Sequence, residues 1–153
     1  MEIKNYIEPY FEEVFEIVHK TIEEIYPKYY PRNAVDFYHN ILHSRESMEK
    51  QIPNETILVL IENNEIIGTG AVFGNEIKRF FVLPEYQGKG FGRILLLELE
   101  KIIKNSKYAK IVLYSTLGSY EFYRKNGYLQ KKFLAMELSD GGFLCGFEME
   151  KNI

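Results

Sequence analysis

The densest run of residues able to do chemistry is Val82-Leu83-Pro84-Glu85-Tyr86-Gln87-Gly88-Lys89-Gly90-Phe91-Gly92-Arg93. Gly88, Gly90 and Gly92 let the backbone curl and turn several N–H groups toward one anion. An apolar helical pattern resumes directly afterwards, so the loop opens a helix whose first unpaired N–H groups and positive dipole end serve the same site. Lys89 and Arg93 supply charge, and the run reads as a pyrophosphate cradle. Two familiar phosphate loops do not fit. A nucleoside-triphosphate loop needs Gly-Lys followed by Ser or Thr to hold the metal, and here Gly88-Lys89 is followed by Gly90. A dinucleotide fingerprint wants its third glycine three positions after the second. It also wants an acidic residue closing the next strand, which here ends in Tyr114.

The remaining reactive side chains say less. Cys145 stands between Leu144 and Gly146 in a strand pattern and reads as a buried small hydrophobe, not a nucleophile. His39 and His43 are four apart on a helical pattern without a convincing third ligand, so no metal site is expected. His19 reads as a helix-surface or interhelix residue.

The elements that position the cradle follow from the apolar period. After an extended start at Met1 to Ile7, the segment Pro9 to Tyr26 places Phe11, Val14, Phe15, Val18, Ile22 and Ile25 at helical spacing, closed by Pro27 and Pro31. Val35 to His43 predicts a second helix and Glu46 to Ile52 another turn or two. From Thr56 the period changes to that of strands, with Thr56 to Ile61, Ile66 to Phe73 and Glu76 to Val82 joined by Asn63-Asn64 and Gly74-Asn75 turns. Phe91 to Ile103 is a helix, Lys110 to Tyr114 a strand, and Ser119 to Lys125 a helix stopped at Asn126-Gly127. Tyr128 to Leu138 and Phe143 to Glu150 flank the hairpin signal Ser139-Asp140-Gly141-Gly142. The strand–helix–strand passage implies a parallel crossover inside an otherwise antiparallel sheet of six or seven strands. The expected class is α+β, in three layers α/β/α.

With 153 residues, 46% hydrophobic, the chain is long enough to bury a core as one domain without disulfides or a structural metal. A formal net charge of -3 argues against a general nucleic-acid binder. Met1 to Ile7 lacks the pattern of a signal peptide and no apolar run reaches membrane-spanning length, so no membrane partner and a cytoplasmic location are expected. The composition stands out in its 12 Tyr and 11 Phe without Trp. Most of these rings fall at core positions; the rest are candidates for a pocket wall.

Gln87-Gly88-Lys89-Gly90-Phe91-Gly92 resembles the Gln/Arg-x-x-Gly-x-Gly/Ala signature of the Gcn5-related N-acetyltransferase superfamily, placed as in that family after the fourth strand and at the start of a helix. The order of elements is similar along nearly the whole chain. The resemblance implies a sheet that parts between its fourth and fifth strands, flanked by about four helices, with acetyl-CoA as cosubstrate and no metal. Gln87, Gly88, Lys89, Gly90, Phe91, Gly92 and Arg93 would then hold the pyrophosphate, and the backbone of Phe81 and Val82 the pantetheine arm. The run Ser119 to Tyr128 looks like the family's later motif, in which a helix tyrosine protonates the departing thiolate; that role falls to Tyr123. Where many members carry Asn after the fifth strand, this chain has Ser115-Thr116, so Thr116 and Ser119 are the candidate hydroxyl contacts there. Glu76 resembles the glutamate that acts as general base in several members, with Glu62, Glu65 or ordered water as alternatives.

The reaction this implies is direct transfer of an acetyl group to a primary amine. The oxyanion would be met by backbone N–H near Val82. The acceptor wall is expected at Tyr26, Tyr29, Tyr30 and Tyr38, with a small amine or a peptide amine as the acceptor. A closed aromatic pocket favours the small molecule, a groove open at both sides the polypeptide. A noncatalytic acyl-CoA sensor would keep the cradle without the Glu76 and Tyr123 geometry. The final hairpin offers an edge for a second copy, which leaves a homodimer open. Glu12, Glu13, Glu16, Glu23 and Glu24 on the first helix read as a solvated face.

Overall fold

The computed structural model describes residues 1–153. Its elements are β1 (Glu2–Asn5), α1 (Phe11–Ile25), α2 (Arg32–Phe37), α3 (Arg45–Gln51), β2 (Thr56–Glu62), β3 (Glu65–Phe73), β4 (Glu76–Val82), α4 (Phe91–Lys104), β5 (Lys110–Thr116), α5 (Tyr120–Lys125), β6 (Leu129–Glu137) and β7 (Phe143–Asn152). They build one seven-stranded sheet in the order β1-β2-β3-β4-β5-β7-β6. All neighbours are antiparallel except β4 and β5, which run parallel as the strand–helix–strand passage requires. One core of 18 buried residues packs α1 and α2 on one face, and a second of 14 packs α4 and α5 on the other.

On the first face, α1 buries Phe11, Val14, Ile17, Val18 and Ile22, the three-and-four spacing that a single apolar stripe demands. Two of its glutamates do more than meet water. Glu12 receives both Nη groups of Arg45, and Glu23 receives Arg32, so α1 is clamped to the segments that follow it. The second helix differs from expectation. It starts at Arg32, because Pro31 fixes the extended residue from which a helix can begin, and it widens at Tyr38–Leu42 into a π-turn closed by His43 N–H on Tyr38 O at 3.0 Å. The third is capped by Ser44 Oγ, which accepts the Ser47 N–H at 3.1 Å.

On the second face, α4 buries Glu100 completely. Its carboxylate accepts Lys151 Nζ at 2.8 and 3.0 Å, Tyr128 OH at 3.1 Å and Lys104 Nζ at 3.2 Å. This network fixes α4 against β7 and the entry to β6, and so fixes where the N-terminus of α4 points. At the far edge, β6 exposes Leu129, Phe133 and Met136, and Cys145 opposite Ala135 is half-buried, not fully enclosed as expected.

The feature that shapes the site is a bulge in β4. Thr69 pairs with Phe81 and Ala71 with Lys78, so Arg79 and Phe80 together face Gly70 alone. Arg79 takes the left-handed conformation at φ 49°. An extra residue reverses the facing of everything beyond it. Ile77 therefore lies in the core under α4, whereas Phe81, of the same parity, lies in the core under α1. Past Ile77 the pairing of β4 with β5 ends, and the two strands part.

Gly70 is required by this geometry. A Cβ there would meet Leu99 Cδ1 at 2.5 Å and the Phe80 ring at 3.2 Å, between α4 and the bulge. Gly70→Val is expected to lower stability by about 1–3 kcal/mol through overpacking, measured by urea denaturation; an unchanged midpoint would contradict this packing.

Candidate active site

The parted strands floor a cleft of about 800 Å³ that runs from the start of α4 to the π-turn after α2. Its backbone chemistry follows from the ladder. Leu83 donates its N–H to Ile67 O at 2.9 Å, and bonded and unbonded pairs alternate in an antiparallel ladder. Phe81, opposite Thr69, therefore spends its N–H and C=O on β3, while both groups of Val82, opposite Gly68, face the parting. The Val82 carbonyl accepts the Gln87 side-chain amide at 2.9 Å, which leaves the Val82 N–H to the cleft. Of the two residues expected to offer backbone bonds, only Val82 is placed to do so; Phe81 contributes its ring to the lining.

Gly88 and Gly90 lie at φ 74° and 89°, and a Cβ on either would touch nothing within 4 Å. Backbone conformation, not crowding, requires glycine there. At Gly92 a Cβ would meet the Phe122 ring at 3.5 Å, ordinary contact, so that position tolerates one more carbon. The α4 N-terminus has no side-chain cap and no acid in its first turn, and its first intrahelical bond is Ile94 N–H to Gly90 O. The N–H groups of Phe91, Gly92 and Arg93 are left for an anion. Arg93 lines the cleft. Lys89 and Phe91 do not: the Lys89 ammonium sits over the Tyr86 ring and Phe91 packs edge-on against the same ring. Phe91 thus belongs to the second core and does not frame the cleft.

Across the parting, Thr116 and Ser119 line the cleft with their hydroxyls 2.9 Å apart, and Ser115 is wholly buried behind them. Tyr123 on α5 lies between the Phe80 and Tyr128 rings and is 5% exposed. Burial holds its phenol above the ordinary value, so it carries its proton throughout the neutral range.

The other half of the cleft gathers the expected tyrosines. Tyr26 meets Tyr38 edge-on and lies nearly parallel to Phe81. Tyr30 is a strap as well as a wall: its hydroxyl donates to Cys145 O at 2.6 Å and accepts the Leu117 N–H at 2.9 Å. Tyr29 covers Gly118, where a Cβ would come within 2.7 Å of its ring. The α1–α2 connection is thus stitched to the β5–α5 loop and to β7, closing one side of the cleft. Glu76 lines the cleft at the closed end of the strand pair, opposite Val112, whereas Glu62 and Glu65 lie at the β2–β3 turn outside it.

The lining residues that had no part in the expected site include His43, Gln51, Lys78 and Arg79. Arg79 is buried beside Glu55, with Nη2 on Glu55 Oε1 at 3.0 Å and on Gln51 Oε1 at 2.9 Å. Burial, then the charges of Arg79, His19 and Lys78, push the His43 imidazole down to about 3. His43 O in turn accepts from His19 Nε2 at 2.6 Å, and His19 Nδ1 meets His39 Nε2 at 2.9 Å. The three histidines form a hydrogen-bonded row at the cap.

A mixed sheet that parts after a single parallel pair, with an uncapped, glycine-opened helix at the parting, is the GNAT fold. Residues 25–150 match the acetyltransferase (GNAT) domain family, and the chain belongs to it. A GCN5-related N-acetyltransferase from Rhodopseudomonas palustris superposes with TM-score 0.91 at 18% identity, over 99% of this chain and 95% of that one. The paiA N-acetyltransferase from Thermoplasma acidophilum, solved in complex with coenzyme A, gives 0.75 at 24% identity over 99% and 98%. Ribosomal-protein-alanine N-acetyltransferase from Brucella melitensis gives 0.73 at 18% over the full length of both. At these identities the likeness is one of fold. No curated protein matches the sequence.

His43 is expected to make the cap acid-sensitive. In the unfolded chain an imidazole binds a proton near pH ~6.5, whereas in the fold it does so only near 3. Between those values the unfolded state holds the extra proton, so stability falls as pH drops, by at most about 1.4 kcal/mol per pH unit. His43→Asn is expected to narrow the gap in melting temperature between pH 7 and pH 4.5; an identical gap in both proteins would remove His43 as the cause.

Proposed function

We propose that the protein is an acetyl-CoA-dependent N-acetyltransferase acting on a primary amine of a small molecule. The observation that carries this reading is the parting itself: the free Val82 N–H, the uncapped start of α4 and the Tyr123 ring line one continuous cleft. Bound acetyl-CoA would supply a thioester whose carbonyl carbon the amine attacks, forming the C–N bond of an amide as the C–S bond breaks to release a thiol. The residues fit that cosubstrate. N–H groups of Gly88 to Arg93 and the Arg93 side chain would take the pyrophosphate, and Thr116 and Ser119 offer hydroxyls beside it.

Val82 and the bulge before it would donate N–H to the carbonyl oxygen as charge grows on it, where fixed donors lower a barrier most. Tyr123 would donate its phenol proton toward the sulfur. Because an ordinary phenol, near ~10, already lies above a thiol's ~8.5 and burial raises this one further, full transfer is uphill, and its main work is a hydrogen bond to the developing thiolate. Glu76 would draw the amine's proton through water, since three residues of strand, roughly 10 Å, separate it from the bulge. The stitched α1–α2 connection supports a small acceptor over a polypeptide, because one side of the cleft is closed by Tyr29 and Tyr30.

Tyr123→Phe is expected to lower kcat about 100-fold while leaving the Kd for acetyl-CoA within about twofold, followed by thiol release and calorimetry. An unchanged kcat in a chemistry-limited assay would reject the role. Gly90→Asp forces a β-carbon onto a left-handed position and brings an anion to the cradle. It is expected to weaken acetyl-CoA by more than about tenfold; undiminished affinity in a folded variant would displace the cradle.

A further inference from the structure

Five buried polar atoms without a hydrogen-bond partner belong to residues lining the acceptor half of the cleft: Thr21 Oγ1, Tyr38 OH, His43 Nδ1, and Nε and Nη1 of Arg79. Leaving such groups unmet is costly, more so when they are charged, and folded proteins retain few of them. Arg79 carries the largest cost. Its side chain is 4% exposed, Nη2 alone is engaged, and its backbone is held in the left-handed region, a strain that clusters at functional sites.

The charges beside it do not balance. Lys78 Nζ lies 3.5 Å from the same Glu55 Oε1 that Arg79 uses, so two cations share one buried carboxylate. Lys78 is a third exposed and reaches the cleft. The unmet guanidinium nitrogens can only donate, and the one unmet acceptor-only atom beside them, Glu55 Oε2, belongs to a carboxylate already bonded to Arg79 through its other oxygen. His43 adds no charge of its own, since its imidazole stays neutral near Arg79. The bulge end of the wall, where Arg79 and Lys78 meet Glu55 and neither pairs with Glu76, is complementary to a single negative charge with several acceptor lone pairs, which is a carboxylate.

We propose that the acceptor amine also bears a carboxylate, held by Lys78 and Arg79 at the β4 bulge, so that the substrate class is a small amino acid or a close relative of one. This rests on the acetyl-transfer reading above. The carboxylate would anchor at the bulge, Tyr26 and Tyr38 would pack its carbon frame, and the amine would turn toward the Val82 end of the cleft. Arg79 and Lys78 are here substrate-binding residues, and neither moves a proton.

The test separates binding from turnover. N-acetylated amino acids and their primary amides, identical but for the carboxylate, are titrated against the full chain by calorimetry with coenzyme A present and absent. The carboxylate is expected to bind at least tenfold more tightly than the amide, and Lys78→Gln to erase most of that difference while leaving coenzyme A affinity within about twofold. Because removing the buried Arg79 would take from Glu55 the closer of its two cations and leave a void behind it, Lys78→Gln is the principal variant, and Arg79→Lys, which keeps the charge, is expected to retain part of the preference. In parallel, thiol release is compared for amino acids and their amides. Equal binding of the two members of each pair, or tighter binding of the amide, overturns the carboxylate subsite whatever the turnover shows. Carboxylate-selective binding without any thiol release upholds the subsite and overturns the acetyl-transfer reading instead.

Discussion

The site depends on a single extra residue in β4. Because Arg79 and Phe80 together oppose Gly70, the strand changes face in mid-course. Phe80 turns to Phe122 and Tyr123 on α5, and Phe81 turns to Tyr26 and His43 in the cap. A regular strand would set Phe81 beside Ile77 under α4 and leave the cap without a floor. The bulge also bends β4 away from β5 after Ile77, which opens the sheet between them. Two walls of the cleft and its opening therefore have one cause, and Gly70 permits it by leaving room for Leu99 and Phe80.

Each layer is then fixed by a buried charge. Under α4 it is Glu100, whose oxygens are met by Lys151, Lys104 and Tyr128; this pair is satisfied and serves position. Under the cap it is Arg79 with Glu55, where donors remain unmet. A satisfied buried ion pair holds elements in register, whereas a half-satisfied one is a standing cost that a packed apolar group would avoid. The contrast between two buried charges in one small fold sets structure apart from function. In the function proposed above, the first would aim the α4 dipole at the cofactor end, and the second would be left to the acceptor end.

What was legible in the sequence was local. Gly88 and Gly90 announce a left-handed backbone wherever they fall, and Asn63-Asn64, both at positive φ, announce their hairpin. The helices α1 and α4 and all the strands follow from period. The cradle was read from its glycines, its helix start and its cations, whereas the role of Tyr123 was reached through a family resemblance. The acceptor site was not legible in this way. Glu76 to Val82 reads as an ordinary strand, yet Ile77, Arg79 and Phe81 place a charge between apolar residues on one face, and Lys78, Phe80 and Val82 mix the other. Neither face is consistent, and that broken alternation is the signal of the bulge. The partners Gln51 and Glu55 lie 28 and 24 residues away from Arg79, so no window on the sequence brings them together. Phe91 and Lys89 show the converse: their signature is local, but Tyr86 claims both side chains and leaves only their backbone to the loop.

In the function proposed above, the tyrosines of the cleft wall would have a chemical use. Burial raises the phenols of Tyr26, Tyr30, Tyr38 and Tyr114 above their ordinary value. A free amine becomes abundant only as pH approaches about 10, and a wall of ordinary phenols would begin to ionise there and attract the ammonium form. Burial disfavours that ionisation in these four rings. The same burial that raises a phenol disfavours an ammonium brought against it, lowering the amine's own pKa. For the acceptor proposed above, a carboxylate held at Arg79 and Lys78 would place the amine against rings that favour its neutral form. Deprotonation would then need no base in contact with the nitrogen, only a path for one proton to Glu76 or to bulk water.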